Sequence, residues 1–176
     1  MSLCLSCGIC CDGALFGCVP IGNADNLAAM EAAAIEVLVL DGQSQFKQPC
    51  PAYSCKGCRI YADRPASCRE FCCKLLAEYE GGKMSMLVAR EKIKQACSLR
   101  DSLLETLRRI DPALSGRSLA ELWKQWDSAA KGAEGLVFRQ KFGYVLMQMA
   151  ALRRFFDRHF IAQAFPRGDD SEGTRN

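Results

Sequence analysis

Cys4, Cys7, Cys10 and Cys11 form a C-x2-C-x2-C-C run, with Gly8 directly after the second thiol. Thiolates are soft donors, and such a run suits a soft cation or an inorganic iron–sulfur core better than an apolar interior. Cys4, Cys7 and Cys10 match the C-x2-C-x2-C half of a bacterial ferredoxin motif, in which a remote cysteine is followed by proline. Cys50-Pro51 supplies such a pair here. Gly8 would let the backbone pass close to inorganic sulfide and donate its N–H. Zinc is the second reading: four thiolates complete a structural tetrahedron, Cys55-x2-Cys58 is one knuckle half, and there are thiols for one site or two. Copper(I) is a third. The single histidine, His159, lies far away in sequence, so the site is expected to be all sulfur or sulfur plus a carboxylate. His159 itself reads as a surface or packing residue.

The chain has 176 residues, twelve cysteines and a 49% hydrophobic composition. That is enough for one domain with a core that needs no disulfide staples. Adjacent pairs, Cys10-Cys11 and Cys72-Cys73, also suit disulfides poorly, because neighbouring side chains diverge. Metal binding explains the cysteines better. Lys and Arg number 23 against 20 Asp and Glu, a net charge of +3 that argues for no nucleic-acid partner. No apolar run reaches the length of a membrane span, and the first residues do not read as a secretory signal. A soluble, cytoplasmic protein with no membrane partner is expected.

Eleven of the twelve cysteines fall between Cys4 and Cys73; only Cys97 lies beyond. The expectation is a single domain over 1–165, with a cysteine-cluster lobe at 4–73, a helical part at 84–165 and a disordered tail over 166–176. Asp25 or Asn23 is positioned to cap a helix through Leu27, Met30, Ala34 and Leu38, stopped near Asp41-Gly42. Residues 43–65 read as loop with a short hairpin. Ser67 reads as the cap of a helix running to Glu80 and ended by Gly81-Gly82, which places Cys68 and Cys72 on one face and turns Cys73 away. Helices follow over 84–110, 118–131 and 134–164. The last carries Phe138, Phe142, Val145, Met149, Leu152 and Phe156 at helical spacing, a seam for packing on other helices. The fold class is therefore mostly α, a helical bundle with an irregular cysteine-rich N-terminal lobe. Cys97 shares a face with Ile93 and reads as core, as do Trp123, Trp126 and the phenylalanine seam. Cys18 is equally compatible with the core and the site, and Arg64 and Arg69 with solvated charges and with offsetting thiolate charge.

The combined pattern resembles the YkgJ-like cysteine-cluster family, a zinc- or iron-chelating domain. The resemblance rests on two blocks: the opening C-x2-C-x2-C-C, and Cys50-Pro51 followed by Cys58-Arg59-Ile60-Tyr61, Arg64-Pro65 and Cys68-Arg69-Glu70-Phe71. It covers about residues 4–73. It implies a site built from Cys4, Cys7, Cys10 or Cys11, Cys50, Cys58 and Cys68, with Cys73 as a further ligand that fits better than Cys72. The cysteine region is distantly similar to that of flagellin lysine N-methylases, but no Gly-rich loop after a strand accompanies it, and the methylase activity is not carried over. The leading expectation is a metal-binding protein with a cysteine-ligated centre, a [4Fe–4S] iron–sulfur cluster ahead of zinc. Two others stay open: a structural zinc module presenting its helical half to a protein partner, and a cluster-dependent redox or methyl-transfer enzyme. No catalytic residue is assigned.

Overall fold

The computed structural model describes residues 3–40, 42–54 and 56–161. In chain order the elements are α1 (Leu3–Cys7), β1 (Cys18–Pro20), α2 (Leu27–Ala32), β2 (Leu38–Leu40), β3 (Gln43–Lys47), β4 (Tyr53–Ser54), β5 (Gly57–Cys58), α3 (Ala66–Glu70), α4 (Lys74–Glu80), α5 (Met86–Ile110), a 3-10 turn at Pro112–Leu114, α6 (Leu119–Lys131) and α7 (Gly135–His159). Of the described residues 57% are helical, and the sheets among them are small and antiparallel, a mostly-α fold.

The helical half follows its apolar periodicity. Ser85 caps α5 by accepting the Val88 N–H, and Asp111-Pro112 ends it. The buried stripe Ala89, Ile93, Ala96, Leu103 and Leu107 faces Val145, Met149, Leu152 and Phe156 of α7 within one core. Each such side chain contributes about 1.5–3 kcal/mol by leaving water, apart from the smaller alanines. Aromatic rings lock α6 to α7: Trp126 meets Phe138 at 5.3 Å and Phe142 at 5.2 Å, and Trp123 meets Phe156 at 6.0 Å. Helix α7 bends at Phe142, beside Gly143, where helix propensity is weak. It ends at His159, short of the expected 164.

The N-terminal lobe departs further from expectation. The helix at 27 is capped by Asn26, whose side chain accepts the Ala29 N–H, and it stops at Ala32. Ala34 takes a left-handed φ of 59°, which ends the helix. The following residues alternate as a strand rather than a helix, and β2 pairs with β3, and β3 with β1, in the order β1-β3-β2. Asp25 does not cap α2. Its carboxylate accepts the Gly22 and Ala66 N–H groups at 2.9 and 2.7 Å, which fastens α3 to the loop before α2. A second core forms here from Val19, Met30, Ala33, Ile35, Phe46 and Ala52.

The expected helix 67–80 is two helices. Ala66–Glu70 stops at Phe71, which is extended, and α4 restarts with Cys73 as its cap. Cys68 and Cys72 therefore do not share a helical face. The expected tail, 166–176, lies outside the described residues. Among these residues no helix is long and apolar enough to cross a membrane.

Candidate metal centre

The cysteine loop is shaped by one glycine and three anchors. Gly8 has φ +71°, and its carbonyl accepts the N–H groups of both Cys11 (2.8 Å) and Asp12 (3.0 Å). This tight turn follows the single-turn helix α1, and Cys7, Cys10 and Cys11 on it are half-buried. Ile9 is completely buried between them. The Cys11 carbonyl accepts the Cys50 N–H at 2.7 Å, which ties the opening run to the Cys50-Pro51 block. Gly13 offers its carbonyl to the Ser118 hydroxyl (3.1 Å) and the Ala120 N–H (3.0 Å), so the start of α6 is docked on the loop. Ser118 also caps α6 by accepting the Glu121 N–H.

Asp12 forms an ion pair with Arg100 of α5, and both side chains are mostly shielded from water. Burial pushes the Asp12 carboxyl above the ordinary range, against the pull of Arg100 and the Ala14 N–H. Burial opposes the Arg100 charge, yet Asp12 and Asp101 raise its pKa. The two partners point opposite ways. A guanidinium stays charged at any accessible pH, so Arg100 is a fixed positive charge beside Asp12.

The second block is positioned by backbone contacts. Tyr53 pairs with Cys58 across the β4–β5 hairpin, and the Arg59 N–H donates to the Ala52 carbonyl at 2.9 Å. The Arg59 guanidinium donates to the carbonyls of Ala33 and Pro51. The Ser67 hydroxyl donates to the Pro20 carbonyl at 2.8 Å, and Phe71 meets Phe16 edge-on at 5.0 Å. The Arg64 guanidinium lies 3.9 Å from the Tyr61 ring centroid, and its charge favours the Cys68 thiolate. Arg69 instead turns to the Arg64 carbonyl (2.7 Å) and toward Asp25 (3.9 Å).

These elements enclose a cavity of about 850 Å³. Cys4, Cys7, Cys10, Cys11, Cys18, Cys50, Cys58, Cys68, Cys72 and Cys73 all border it. Every ligand candidate from the sequence, Cys4, Cys7, Cys10, Cys11, Cys50, Cys58, Cys68 and Cys73, is thus on one hollow. The eleven described cysteines are free thiols. Ten of them, all but Cys97, stand around the hollow: among the described residues, no three His, Cys, Asp or Glu side chains converge as a ready-made site for one ion. Cys72 is exposed, and Cys55 lies outside the described residues. Cys97 is partly buried and packs on the helical core, as expected, close enough for its charge to act on Cys7. His159 sits away from the cavity, its Nδ1 3.3 Å from the Lys92 ammonium.

The electrostatics of the hollow have one dominant source. Burial pushes the Cys7 and Cys11 thiols up to about 12, Cys68 to about 11, and Cys10 well above its ordinary value. Mutual repulsion between neighbouring thiolates adds to each shift. Backbone N–H groups work the other way: Ile9 donates to Cys7, Ala52 and Tyr53 to Cys50, and Leu76 and Leu75 to Cys73. The Leu76 N–H lies 3.4 Å from the Cys73 sulfur. Such N–H donors stabilise sulfur as an anion. Cys7, Cys10, Cys11 and Cys68 therefore favour the neutral thiol when alone, and nearby positive charge favours their thiolates.

Sequence reasoning missed Tyr53, Asp12, Arg100 and the bond from Ser118 to Gly13. Tyr53 lies over Gly8, and burial, then the charges of Cys11 and Cys7, raise its phenol pKa. Nothing local marks Arg100 as the partner of an aspartate 88 positions earlier. Cys50 packs with Cys58 and Cys68 against the sheet-lobe core, whereas Cys7 and Cys73 pack against the helical core. No protein-family model, curated protein or solved structure matches the chain.

Proposed function

We propose that this protein binds an iron–sulfur centre through cysteine thiolates. The observation that carries the reading is the bordering of one cavity by ten cysteine side chains, none of them in a disulfide. A single ion occupies a space on the order of one water, about 30 Å³. A hollow of about 850 Å³ suits a polyatomic occupant, whose cysteine ligands sit on separate irons and need not close on one point. The N–H groups donated to Cys7, Cys50 and Cys73 supply the hydrogen bonds that tune thiolate-ligated clusters. Bound there, such a centre supplies one-electron chemistry. The chain's own residues would shield it with Ile9 and Phe46, hold its ligands through the Gly8 turn and the Cys11–Cys50 link, and offset thiolate charge through Arg64. The two sequence blocks that resemble the YkgJ-like pattern are in keeping with this reading. Zinc remains the competing occupant of the same thiols.

The test is anaerobic purification followed by iron, acid-labile sulfide and zinc analysis with Mössbauer spectra. Brown protein with iron and sulfide in equal amounts is expected. Colourless protein with stoichiometric zinc overturns the iron–sulfur reading, and fresh protein containing neither overturns metal binding altogether.

A further inference from the structure

Resting on that reading and going beyond it, we propose that the cavity holds two separate four-thiolate centres, one bound by Cys4, Cys7, Cys10 and Cys73, the other by Cys11, Cys50, Cys58 and Cys68. The division begins at the adjacent pair Cys10-Cys11. Consecutive side chains cannot point the same way, and the Gly8 turn uses that divergence. The carbonyl of Cys11 accepts the Cys50 N–H, so Cys11 belongs to the second sequence block although it lies in the first.

Packing divides the others. Cys7 and Cys73 lie against the core that contains Leu3, Leu75 and Ile93. Cys50, Cys58 and Cys68 lie against the separate core of Val19, Met30 and Phe46. The break between α3 and α4 matters here: it keeps Cys68 with the sheet lobe and carries Cys73, as the cap of α4, to the helical side.

Electrostatic neighbourhoods agree with the packing. The thiols acting on Cys7 are Cys73, Cys97 and Cys4, and those acting on Cys73 are Cys4 and Cys72. Cys10 feels Cys7 and Cys73 before Cys11 and Cys4. The thiols acting on Cys11 are Cys50, Cys68 and Cys58; Cys50 feels Cys58, and Cys68 feels Cys50 and Cys58. The Tyr53 phenol feels Cys11 and Cys7, one from each set, and so lies between them. Cys18 and Cys72 border the cavity outside both sets: Cys18 lies in β1 opposite Lys47, and Cys72 is exposed. The fourth partner of the C-x2-C-x2-C run is then Cys73, not Cys50 of the Cys-Pro pair.

The experiment measures iron, sulfide and zinc per chain in anaerobically purified protein, together with the electron paramagnetic resonance spectrum after dithionite reduction. Wild type is expected to hold about eight irons and to show the broadened spectrum of two interacting paramagnets. Cys7→Ser/Cys73→Ser and Cys58→Ser/Cys68→Ser should each retain about four irons and give a simple, non-interacting signal. Cys18→Ser/Cys72→Ser should change neither quantity. About four irons in wild type, with no interaction, overturns the division. So does complete loss of iron from either folded double variant, or loss from the Cys18/Cys72 control. Should a double variant fail to fold, the wild-type stoichiometry and spectrum decide alone. About two zinc ions per chain, without iron, would sink the iron–sulfur reading while keeping the two sites; one zinc would sink both.

Discussion

Gly8 offers a sharp test of how the cysteine loop is held. Replacing it with alanine does two separable things. The residue must keep φ near +71°, which costs an L-residue about 1–2 kcal/mol. Its new Cβ would also lie 2.6 Å from Cε1 of Tyr53 and overlap the phenol end of the ring still more closely, so the ring must move, at about 1–3 kcal/mol. The sum is about 3 kcal/mol. For a chain of this size that lowers the melting temperature by roughly 6–12 °C. Gly116 provides the control, since it has φ +79° and nothing within 4 Å of a built Cβ. Gly116→Ala should therefore cost only the backbone part, about 1–2 kcal/mol. In a Tyr53→Ala background the cost of Gly8→Ala should fall to the same backbone value, leaving a coupling of about 1–3 kcal/mol. The assay is thermal unfolding followed by circular dichroism under argon, with iron content measured on every sample. If Gly8→Ala and Gly116→Ala shift the midpoint equally, or if removing the Tyr53 ring brings no relief, the ring does not cover this turn and the reasoning is wrong.

Other perturbations reach the same lobe from different sides. Arg100→Met should destabilise by about 3 kcal/mol, because it leaves the Asp12 carboxylate shielded and unpaired; Arg100→Met/Asp12→Leu should recover most of it in urea titrations. In the single variant the Asp12 pKa stays above its unfolded value, so stability should be greatest in acid and decline as pH rises through the folded pKa. Ser118→Ala removes both the α6 cap and a buried bond to Gly13, and should cost about 1–2 kcal/mol by the same titration. Trp123→Phe should cost little for its size, since the Trp123 indole N–H is buried without a partner; a loss above about 2 kcal/mol would contradict this. Metal-free protein should lose stability between pH 9 and about 12, because burial raises the folded pKa of Cys7 and Cys11 and their neutral forms are the ones favoured. Loaded protein should instead lose its metal as pH falls, since protons compete for the same sulfurs, and absorbance against pH follows both.

The helical half was legible because its signals are local. Ser85, Ser118 and the Asp111-Pro112 stop act within a few residues, and the α7 seam repeats every three or four positions, so the elements follow with errors only at their ends. The lobe was legible in the gathering of its cysteines on one hollow but not in its geometry. Leu38, Val39 and Leu40 form a strand, yet the run of alanines before them reads as helix until Ala34 enters the left-handed region. Asp25 looks like a cap because its carboxylate sits near a helix start, but its partner Ala66 is forty-one residues away and unmarked in the sequence. The same limit applies to the thiols. Spacing shows that Cys4, Cys7 and Cys10 belong together, and cannot show that a break at Phe71 sends Cys68 and Cys73 to different cores. One local fact fits the proposed division. Cys10 and Cys11 are adjacent, yet Cys10 feels Cys7 and Cys73 most and Cys11 feels Cys50, Cys68 and Cys58. Under the proposed division, two thiols bound to different centres must diverge somewhere, and Cys10 and Cys11 would do so within a single peptide unit.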